Sequence, residues 1–305
     1  MTLSPDVTHR FLPSVDRLEG AMRAARRALE RGDLEGALRE NDAAIQLKPE
    51  YDAAWLLRAH IFRRDGNIPG AIEAFAAALK RNGESEEGWL GLASALHDVG
   101  RFVEEVEAYD RLLELHPQSV EAWINKGALL HERQDYRGAI SCYDKVLAMR
   151  PEHAGAWNNK GAALLRLGDE AGAARCIEEA LLLNPDFYDA LANRAVLARR
   201  AKRPGEAVLW ADRALRIQEA SWLWVAKGQA HLDLQEATLA MKAFERALAL
   251  DPRSRAAREG LERAKAQRSK RDFFRGVYEC FGTYLAGDPG CAECEIRMRC
   301  TQVSP

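Results

Sequence analysis

The 305-residue chain is 47% hydrophobic and 30% charged, and its net charge of -2 makes no case for nucleic-acid binding by the chain as a whole. Its length suits one large domain, two ordinary domains or a repeat array. No apolar run approaches the roughly 18 residues of a membrane-spanning helix. The N-terminal stretch MTLSPDVTHRFLPSVDR lacks the apolar core of a secretory signal. We therefore expect a cytoplasmic protein whose thiols stay reduced.

An internal repeat occupies most of the chain. Tryptophans recur every 34 residues, at Trp55, Trp89, Trp123 and Trp157. When each Trp is taken as position 4 of a repeat, position 20 is usually Ala and position 24 is usually aromatic or a large aliphatic residue. Position 32 is Pro in repeats that end near Pro117, Pro151 and Pro185. A fixed period of this length indicates a repeat architecture rather than one globular core.

The pattern resembles that of the tetratricopeptide repeat family, which reads W-x2-L-G-x2-Y, then A-x3-F, then P. The resemblance implies an all-α fold, a right-handed α-solenoid of helix–turn–helix units that stack to bury their apolar faces. Position 7 departs from the family pattern because it is basic, but a long basic stem can still pack along an apolar surface. The basic residues at position 7 are Arg58, Lys126, Lys160, Arg194 and Lys227.

The register divides the chain into four parts. An N-terminal extension (1–17) precedes the solenoid (18–254), and a basic capping helix (255–275) and a Cys-rich knuckle (276–305) follow it. The solenoid contains repeats 1 to 7, which span 18–51, 52–85, 86–119, 120–153, 154–187, 188–220 and 221–254. Repeat 6 is irregular, with Leu191 in place of Trp and Ala211 in place of the aromatic. The missing side-chain volume predicts a looser joint or a kink in the superhelix, and ordinary sequence drift is the alternative explanation.

The resemblance also predicts a binding groove, lined by positions 2, 5, 6, 9, 12 and 13 of the first helices. Position 6 is Asn in three successive repeats, at Asn125, Asn159 and Asn193. An amide suits an extended peptide backbone, although these residues could equally hydrogen-bond across the groove. The remaining predicted partner-binding residues are basic or aromatic: Arg63, Arg64, Arg166, Arg199, Arg200 and Trp222. They favour a protein or peptide partner, an acidic segment among others. The alternatives are that these charges are merely solvated and that Trp222 covers the short junction after repeat 6.

An enzyme is not expected. The seven histidines are scattered, and the sequence has no nucleophile elbow, no phosphate-binding Gly loop and no H-E-x-x-H motif. Paired acids such as Glu104 and Glu105 are predicted to lie on solvated helix faces. Cys142 and Cys176 occupy the same position in adjacent repeats and are predicted to be small buried hydrophobic residues.

The chain ends in four closely spaced cysteines, Cys280, Cys291, Cys294 and Cys300. A C-x2-C pair with two outer cysteines can supply four thiolates to one tetrahedral ion, so we expect one structural Zn2+ per chain. A [4Fe–4S] cluster and free or disulfide-bonded thiols are the alternatives. Residues 253–275 contain nine basic and three acidic residues. This helix together with the knuckle favours nucleic-acid binding as the alternative function.

Overall fold

The computed structural model describes residues 5–282, and its side chains from 16 to 269. Within residues 5–282 the chain forms fifteen α-helices and no strand, which confirms the all-α prediction. The helices are α1 Pro5–Glu30, α2 Leu34–Leu47, α3 Asp52–Asp65, α4 Ile68–Arg81, α5 Glu86–Asp98, α6 Phe102–Leu115, α7 Val120–Glu132, α8 Tyr136–Met149, α9 Ala154–Leu167, α10 Glu170–Leu183, α11 Tyr188–Arg200, α12 Pro204–Ile217, α13 Ser221–Asp233, α14 Ala237–Leu250 and α15 Arg255–Gly282. None of these helices combines the length and apolarity needed to cross a membrane.

The helices fall into two compact halves, an N-terminal half (1–151) with α1 to α8 and a C-terminal half (152–305) with α9 to α15. In each half, consecutive helices pack as helix–turn–helix pairs. The first helices of successive repeats also touch one another: α1 contacts α3 and α3 contacts α5 in the N-terminal half, while α9, α11, α13 and α15 form the equivalent series in the C-terminal half. Each half therefore has a layer made of first helices.

The predicted repeat boundaries agree with the helices from repeat 2 onwards, where the first helix of every repeat begins at the predicted first residue. The two ends differ from the prediction. Helix α1 begins at Pro5, not near residue 18, and so includes most of the predicted extension. Helix α15 continues past residue 275 to Gly282 and so enters the predicted knuckle.

Each turn inside a repeat contains one residue with a positive φ. Glycine takes this position in four repeats, with φ between 72° and 85°, at Gly32, Gly66, Gly100 and Gly168. A residue without a β-carbon adopts this left-handed conformation without steric cost. The other three repeats have Gln134, Lys202 and Gln235 there, with φ between 57° and 65°. The turn geometry is thus imposed by the packing of the two helices even where the sequence does not favour it.

Small residues allow the helices to approach closely. A β-carbon added to Gly127 would lie 2.7 Å from the Tyr143 ring, and one added to Gly91 would lie 2.3 Å from the Phe75 ring. Gly260 makes the same approach to a ring at the end of the last repeat. Phe75 and Tyr143 are almost completely buried. The rings at position 24 therefore fill the space that the glycines leave free.

The four periodic tryptophans are half-buried rather than completely buried. The reason is their length, because each indole reaches from the first helix to the loop that precedes its repeat. The indole Nε1–H donates to a loop carbonyl: Trp55 to Pro49 at 2.9 Å and Trp123 to Pro117 at 2.9 Å. The ring covers the junction between two repeats and stays partly in contact with solvent.

Candidate functional site

The predicted groove residues lie on first helices of the two halves. Asn159 and Asn193, on α9 and α11, are linked through a third residue, Asn158. The Asn193 Nδ2 donates to Asn158 Oδ1 at 2.9 Å, and the Asn158 Nδ2 donates to Asn159 Oδ1 at 3.3 Å. Asn158 is buried, whereas Asn159 and Asn193 are half-buried. Sequence analysis did not single out Asn158, although its position 5 is one of the predicted groove positions.

Asn125, on α7 of the N-terminal half, behaves differently. Its side chain is half-buried and forms no hydrogen bond with any residue that the structure describes. The amide therefore keeps its donor and its acceptor for another molecule or for water. It is the one predicted groove asparagine, among those described, that the fold does not use in a side-chain hydrogen bond.

The arginine pair on α3 makes contacts inside the protein. The Arg63 Nη2 lies 3.5 Å from Asp98 Oδ2 in the next repeat. The Arg64 Nη1 donates to the carbonyl of Leu29 in the preceding repeat at 2.6 Å. Arg63 thus contacts the following repeat, and Arg64 contacts the preceding one. Arg64 binds at the last turn of the preceding first helix, where a cation also interacts favourably with the helix dipole.

The arginine pair on α11 repeats this arrangement in the C-terminal half. The Arg199 Nε donates to Asp233 Oδ2 of the next repeat at 2.9 Å, and the Arg200 Nη1 donates to the Leu165 carbonyl of the preceding one at 2.6 Å. Both pairs occupy positions 12 and 13, and both aspartates occupy position 13. That register is the sequence signal by which these contacts could have been predicted. The charges of these four arginines are therefore already used, at least in part, in contacts inside the protein.

Two predicted site residues remain available. Arg166, at position 13 on α9, is exposed and forms no ion pair within the described part of the chain. Trp222, on α13, is 50% exposed. An exposed tryptophan on the first-helix layer can act as an aromatic anchor, because a large rigid ring gains much contact area at a low cost in conformational entropy.

A buried carboxylate lies on α6, where the other repeats mostly have Ala at position 20. Glu105 is only 2% exposed, so the prediction that it lies on a solvated helix face is wrong. Its Oε2 lies 3.1 Å from Nδ1 of His97. The other ring nitrogen of His97 is 3.9 Å from Glu132 Oε2. Burial raises the pKa of the Glu105 carboxyl, and the hydrogen bond from His97 partly opposes this shift. Among the described residues, no three His, Cys, Asp or Glu side chains converge as metal ligands.

The basic residues at position 7 connect neighbouring repeats, which sequence analysis did not predict. Arg58 pairs with Asp42, and Lys126 pairs with Asp110; in both pairs the acid belongs to position 25 of the preceding repeat. The Lys126 ammonium also lies 5.9 Å from the centroid of the Trp123 ring. This confirms that the stem packs along an apolar surface. The head group gains an ion pair and a cation–π contact.

Helix α15 docks as the first helix of a further repeat would. The Gln267 Nε2 donates to the Leu232 carbonyl at 3.2 Å, the same backward contact that Arg200 makes. Two of its cations pair with acids on the same helix, Arg255 with Glu259 at 2.6 Å and Lys265 with Glu262 at 2.8 Å. These pairs reduce the charge that α15 offers to phosphate groups. The predicted metal ligands Cys291, Cys294 and Cys300 lie outside the described residues, and Cys280 lies within the last turns of α15.

Family models described as tetratricopeptide repeat match residues 22–80, 56–120, 106–140, 124–175, 171–221 and 223–254. Together the matches include nearly every residue of the predicted solenoid. Both models carry the same family description, and it is the family that the spacing of the tryptophans also indicated. No curated protein matches the chain.

Solved structures share the fold at low sequence identity. A tetratricopeptide repeat protein from Parabacteroides merdae has a TM-score of 0.65 at 20% identity, covering 82% of this chain and 99% of that one. Pseudomonas aeruginosa pilF has a TM-score of 0.58 at 18% identity, covering 68% and 95%. A chain of the APC/C hetero-tetramer Cut9–Hcn1 has a TM-score of 0.62 at 18% identity, covering 79% and 48%. At these identities the similarity shows the fold alone.

Proposed function

Since this chain belongs to the tetratricopeptide repeat family, we propose that it is a protein-interaction scaffold that binds extended peptide segments of a partner along the first-helix layer of each half. The family match supports the general role, because repeat arrays of this kind offer extended surfaces rather than enclosed catalytic pockets. The finer part of the proposal concerns the mode of binding, and it depends on the asparagines at position 6.

The observation that carries the proposal is the unpaired amide of Asn125. A half-buried amide without a partner loses part of its hydration and gains nothing in return. An extended peptide offers one N–H and one C=O per residue, the complement of an amide group. Asn159 and Asn193 offer further hydrogen-bonding groups in the C-terminal half. Their bonds through Asn158 leave the Asn159 amino group and the Asn193 carbonyl oxygen without a described partner.

The charge preference of the partner is a separate part of the proposal. Arg166 is exposed and has no described ion-pair partner, so an acidic side chain near it gains a new charge-assisted contact. The arginine pairs on α3 and α11 already bind residues of neighbouring repeats, so they contribute mainly to long-range attraction. Trp222 supplies the apolar anchor.

The test starts from peptides selected for binding to the full chain from a displayed library. Affinities of the selected peptides are then measured for the wild type and for a triple variant, Asn125→Ala, Asn159→Ala and Asn193→Ala. We expect the variant to bind about 5- to 150-fold more weakly, which corresponds to about 1–3 kcal/mol for three hydrogen-bonding groups that are not fully additive. Asn125→Ala alone should account for a measurable share of this loss.

The matched control is Ser141→Ala, which changes an exposed polar residue on the second helix α8. It should leave the affinity unchanged. Circular dichroism must show equal helical content in all variants. If the selected peptides bind the triple variant as tightly as the wild type, the asparagines belong to the scaffold and the proposed binding mode is wrong.

The C-terminal cysteines supply the second part of the proposal, a structural zinc site formed by Cys280, Cys291, Cys294 and Cys300. What supports it is the donor set, because four thiolates including a C-x2-C pair match a closed tetrahedral Zn2+ site. A short segment after α15 has too few apolar residues for a core of its own, and bound metal would supply folding free energy. The reduced thiols that it needs agree with the expected cytoplasmic location.

Elemental analysis of anaerobically purified protein tests the zinc site. About one zinc per chain supports it, and about four irons per chain would favour the cluster instead. Replacing Cys291 and Cys294 by Ser should abolish the metal and leave the helical content nearly unchanged, because the repeats take their stability from neighbouring repeats. Metal-free wild-type protein would refute the proposal.

A further inference from the structure

The tryptophans at position 4 of repeats 2 and 4 have the same surroundings. The indole lies between the loop that ends the preceding repeat and the basic residue at position 7. Trp55 donates to the Pro49 carbonyl at 2.9 Å, and the Arg58 guanidinium lies 5.4 Å from its ring centroid. Trp123 has the equivalent neighbours, a loop carbonyl and a basic side chain. An indole is thus a standard component of the junction between repeats.

Repeat 6 lacks this indole. Its position 4 is Leu191, which is completely buried and is too short to reach the loop. The loop carbonyl of Pro185 is bound by another group, because the Arg213 Nη2 donates to it at 3.0 Å. The sequence predicted missing volume in this repeat, and the structure shows where that volume is.

A pocket of about 240 Å³ opens at this junction. Its walls include Leu181, Leu182, Pro185, Arg194 and Trp210. Pro185 and Arg194 occupy positions 32 and 7, the two positions that contact the indole in other repeats. The pocket therefore lies where a position-4 indole would fit.

The pocket has not closed, although apolar side chains surround it. Leu182 is 71% exposed, so the wall it forms borders solvent. Arg194 makes no ion pair among the described residues, whereas Arg58 and Lys126 at the same position both do. Its guanidinium lies 5.8 Å from the centroid of the Trp210 ring. The acid at position 25 that would pair with Arg194 by register is Glu178, which also lines the pocket and has no described ion-pair partner.

We propose that this pocket binds the aromatic side chain of a partner protein, a ring with a hydrogen-bond donor such as that of tryptophan. The Arg194 guanidinium has no described ion-pair partner, and beside its contact with Trp210 it can attract the negative face of a second ring. Trp210 offers an aromatic contact and the leucines offer apolar area. The Glu178 carboxylate can accept a hydrogen bond from an indole N–H. The volume is below the about 300 Å³ at which pockets for whole small molecules begin, which favours one side chain.

This site is independent of the proposed peptide groove. Its residues occupy positions 7, 23, 25, 26, 28, 29 and 32 of the repeats, and none of them is a groove position. A partner could therefore occupy the groove and insert one ring here, or use either surface alone. Failure of the groove proposal would leave this one untouched, since the two are tested with different variants.

The test uses the full chain, labelled for NMR, and N-acetyl-tryptophanamide as the probe, with N-acetyl-leucinamide as the matched control. We expect saturable shifts of the Trp210 indole N–H and the Arg194 Nε–H at millimolar concentrations of the aromatic probe. Arg194→Ala should weaken this binding about two- to five-fold, the effect of one partly exposed cation–π contact. Absence of shifts up to the solubility limit of the probe, or equal binding of the leucine probe, would overturn the proposal.

A second variant fills the pocket from within. Leu191→Trp restores the residue that other repeats have at position 4, and its indole should occupy the pocket and abolish probe binding. If that variant does not fold, Leu182→Asp serves instead, because it places a charge in the apolar wall at a largely exposed position. We expect at least a five-fold loss of affinity from it. Unchanged probe binding in either folded variant would show that the probe binds elsewhere.

Discussion

Trp123→Ala tests how the periodic tryptophans stabilise the array. Complete burial would give a loss of about 3–5 kcal/mol, but Trp123 is half-buried, so the packing loss should be about 2 kcal/mol. The variant also loses the hydrogen bond to the Pro117 carbonyl, worth about 1 kcal/mol, and the cation–π contact with Lys126, worth about 0.5 kcal/mol. We therefore expect the local stability to fall by about 3.5 kcal/mol.

Two further variants separate these contributions. Trp123→Phe keeps most of the ring and loses the indole N–H, so it should cost about 1–2 kcal/mol. Trp222→Ala is the matched control, since it removes an indole that is 50% exposed and has no described hydrogen bond. It should cost about 1 kcal/mol.

Native-state hydrogen exchange of the amides in α7 and α8 is the suitable assay, because a repeat array need not unfold as one cooperative unit. A denaturant midpoint alone would average over repeats that differ in stability. The reasoning is refuted if Trp123→Ala and Trp222→Ala lower the local free energy of opening equally. It is also refuted if Trp123→Phe costs as much as Trp123→Ala.

Three other changes have defined directions. Gln134→Gly should raise the free energy of unfolding by about 1 kcal/mol because φ is 65° there, and Gly168→Gln, in the equivalent turn, should lower it; thermal unfolding measures both. Glu105→Ala should stabilise the protein by about 1 kcal/mol at neutral pH. Because burial raises the pKa of Glu105, the stability of the wild type falls as the pH rises from about 4.5 through that pKa. The stability gained by the variant should therefore shrink in acid, and denaturation at several pH values measures this. A double-mutant cycle on Lys126 and Asp110 should give a coupling of about 0.5–1 kcal/mol that weakens in high salt.

Helix positions could be predicted from the sequence because their signals are local. A turn residue and a small residue at the close approach recur in the repeats, and repeats 1 to 5 also have a side-chain cap. Asp33 and Asp169, for example, each accept a hydrogen bond from the backbone N–H three residues later, at the start of the second helix. Such signals do not depend on neighbouring repeats. The repeat starts followed from the tryptophan register, and the first helices of repeats 2 to 7 begin at those residues.

Contacts between repeats could not be predicted in this way. The arginines on α3 and α11 look like a basic surface in the sequence, because nothing local shows that Arg63 faces Asp98 or that Arg199 faces Asp233. The link through Asn158 likewise depends on how one first helix is placed beside the next. These pairings become visible in the sequence only when the repeats are aligned and positions 12 and 13 of neighbours are compared.

Departures from the repeat pattern differ in whether the structure compensates for them. Asn41 replaces the aromatic of position 24 and is completely buried, but its Nδ2 donates to the Ala54 carbonyl at 2.8 Å and its Oδ1 accepts from Arg58 at 3.0 Å. Glu105 replaces Ala and is hydrogen-bonded to His97. Leu191 replaces Trp and is not compensated, because a pocket remains. The unfilled pocket lowers the stability of the fold, and it lies beside Arg194, a cation without a described ion-pair partner. A partner that fills the pocket can recover this lost free energy on binding. A search for binding sites in repeat proteins should therefore look for departures that the fold leaves uncompensated.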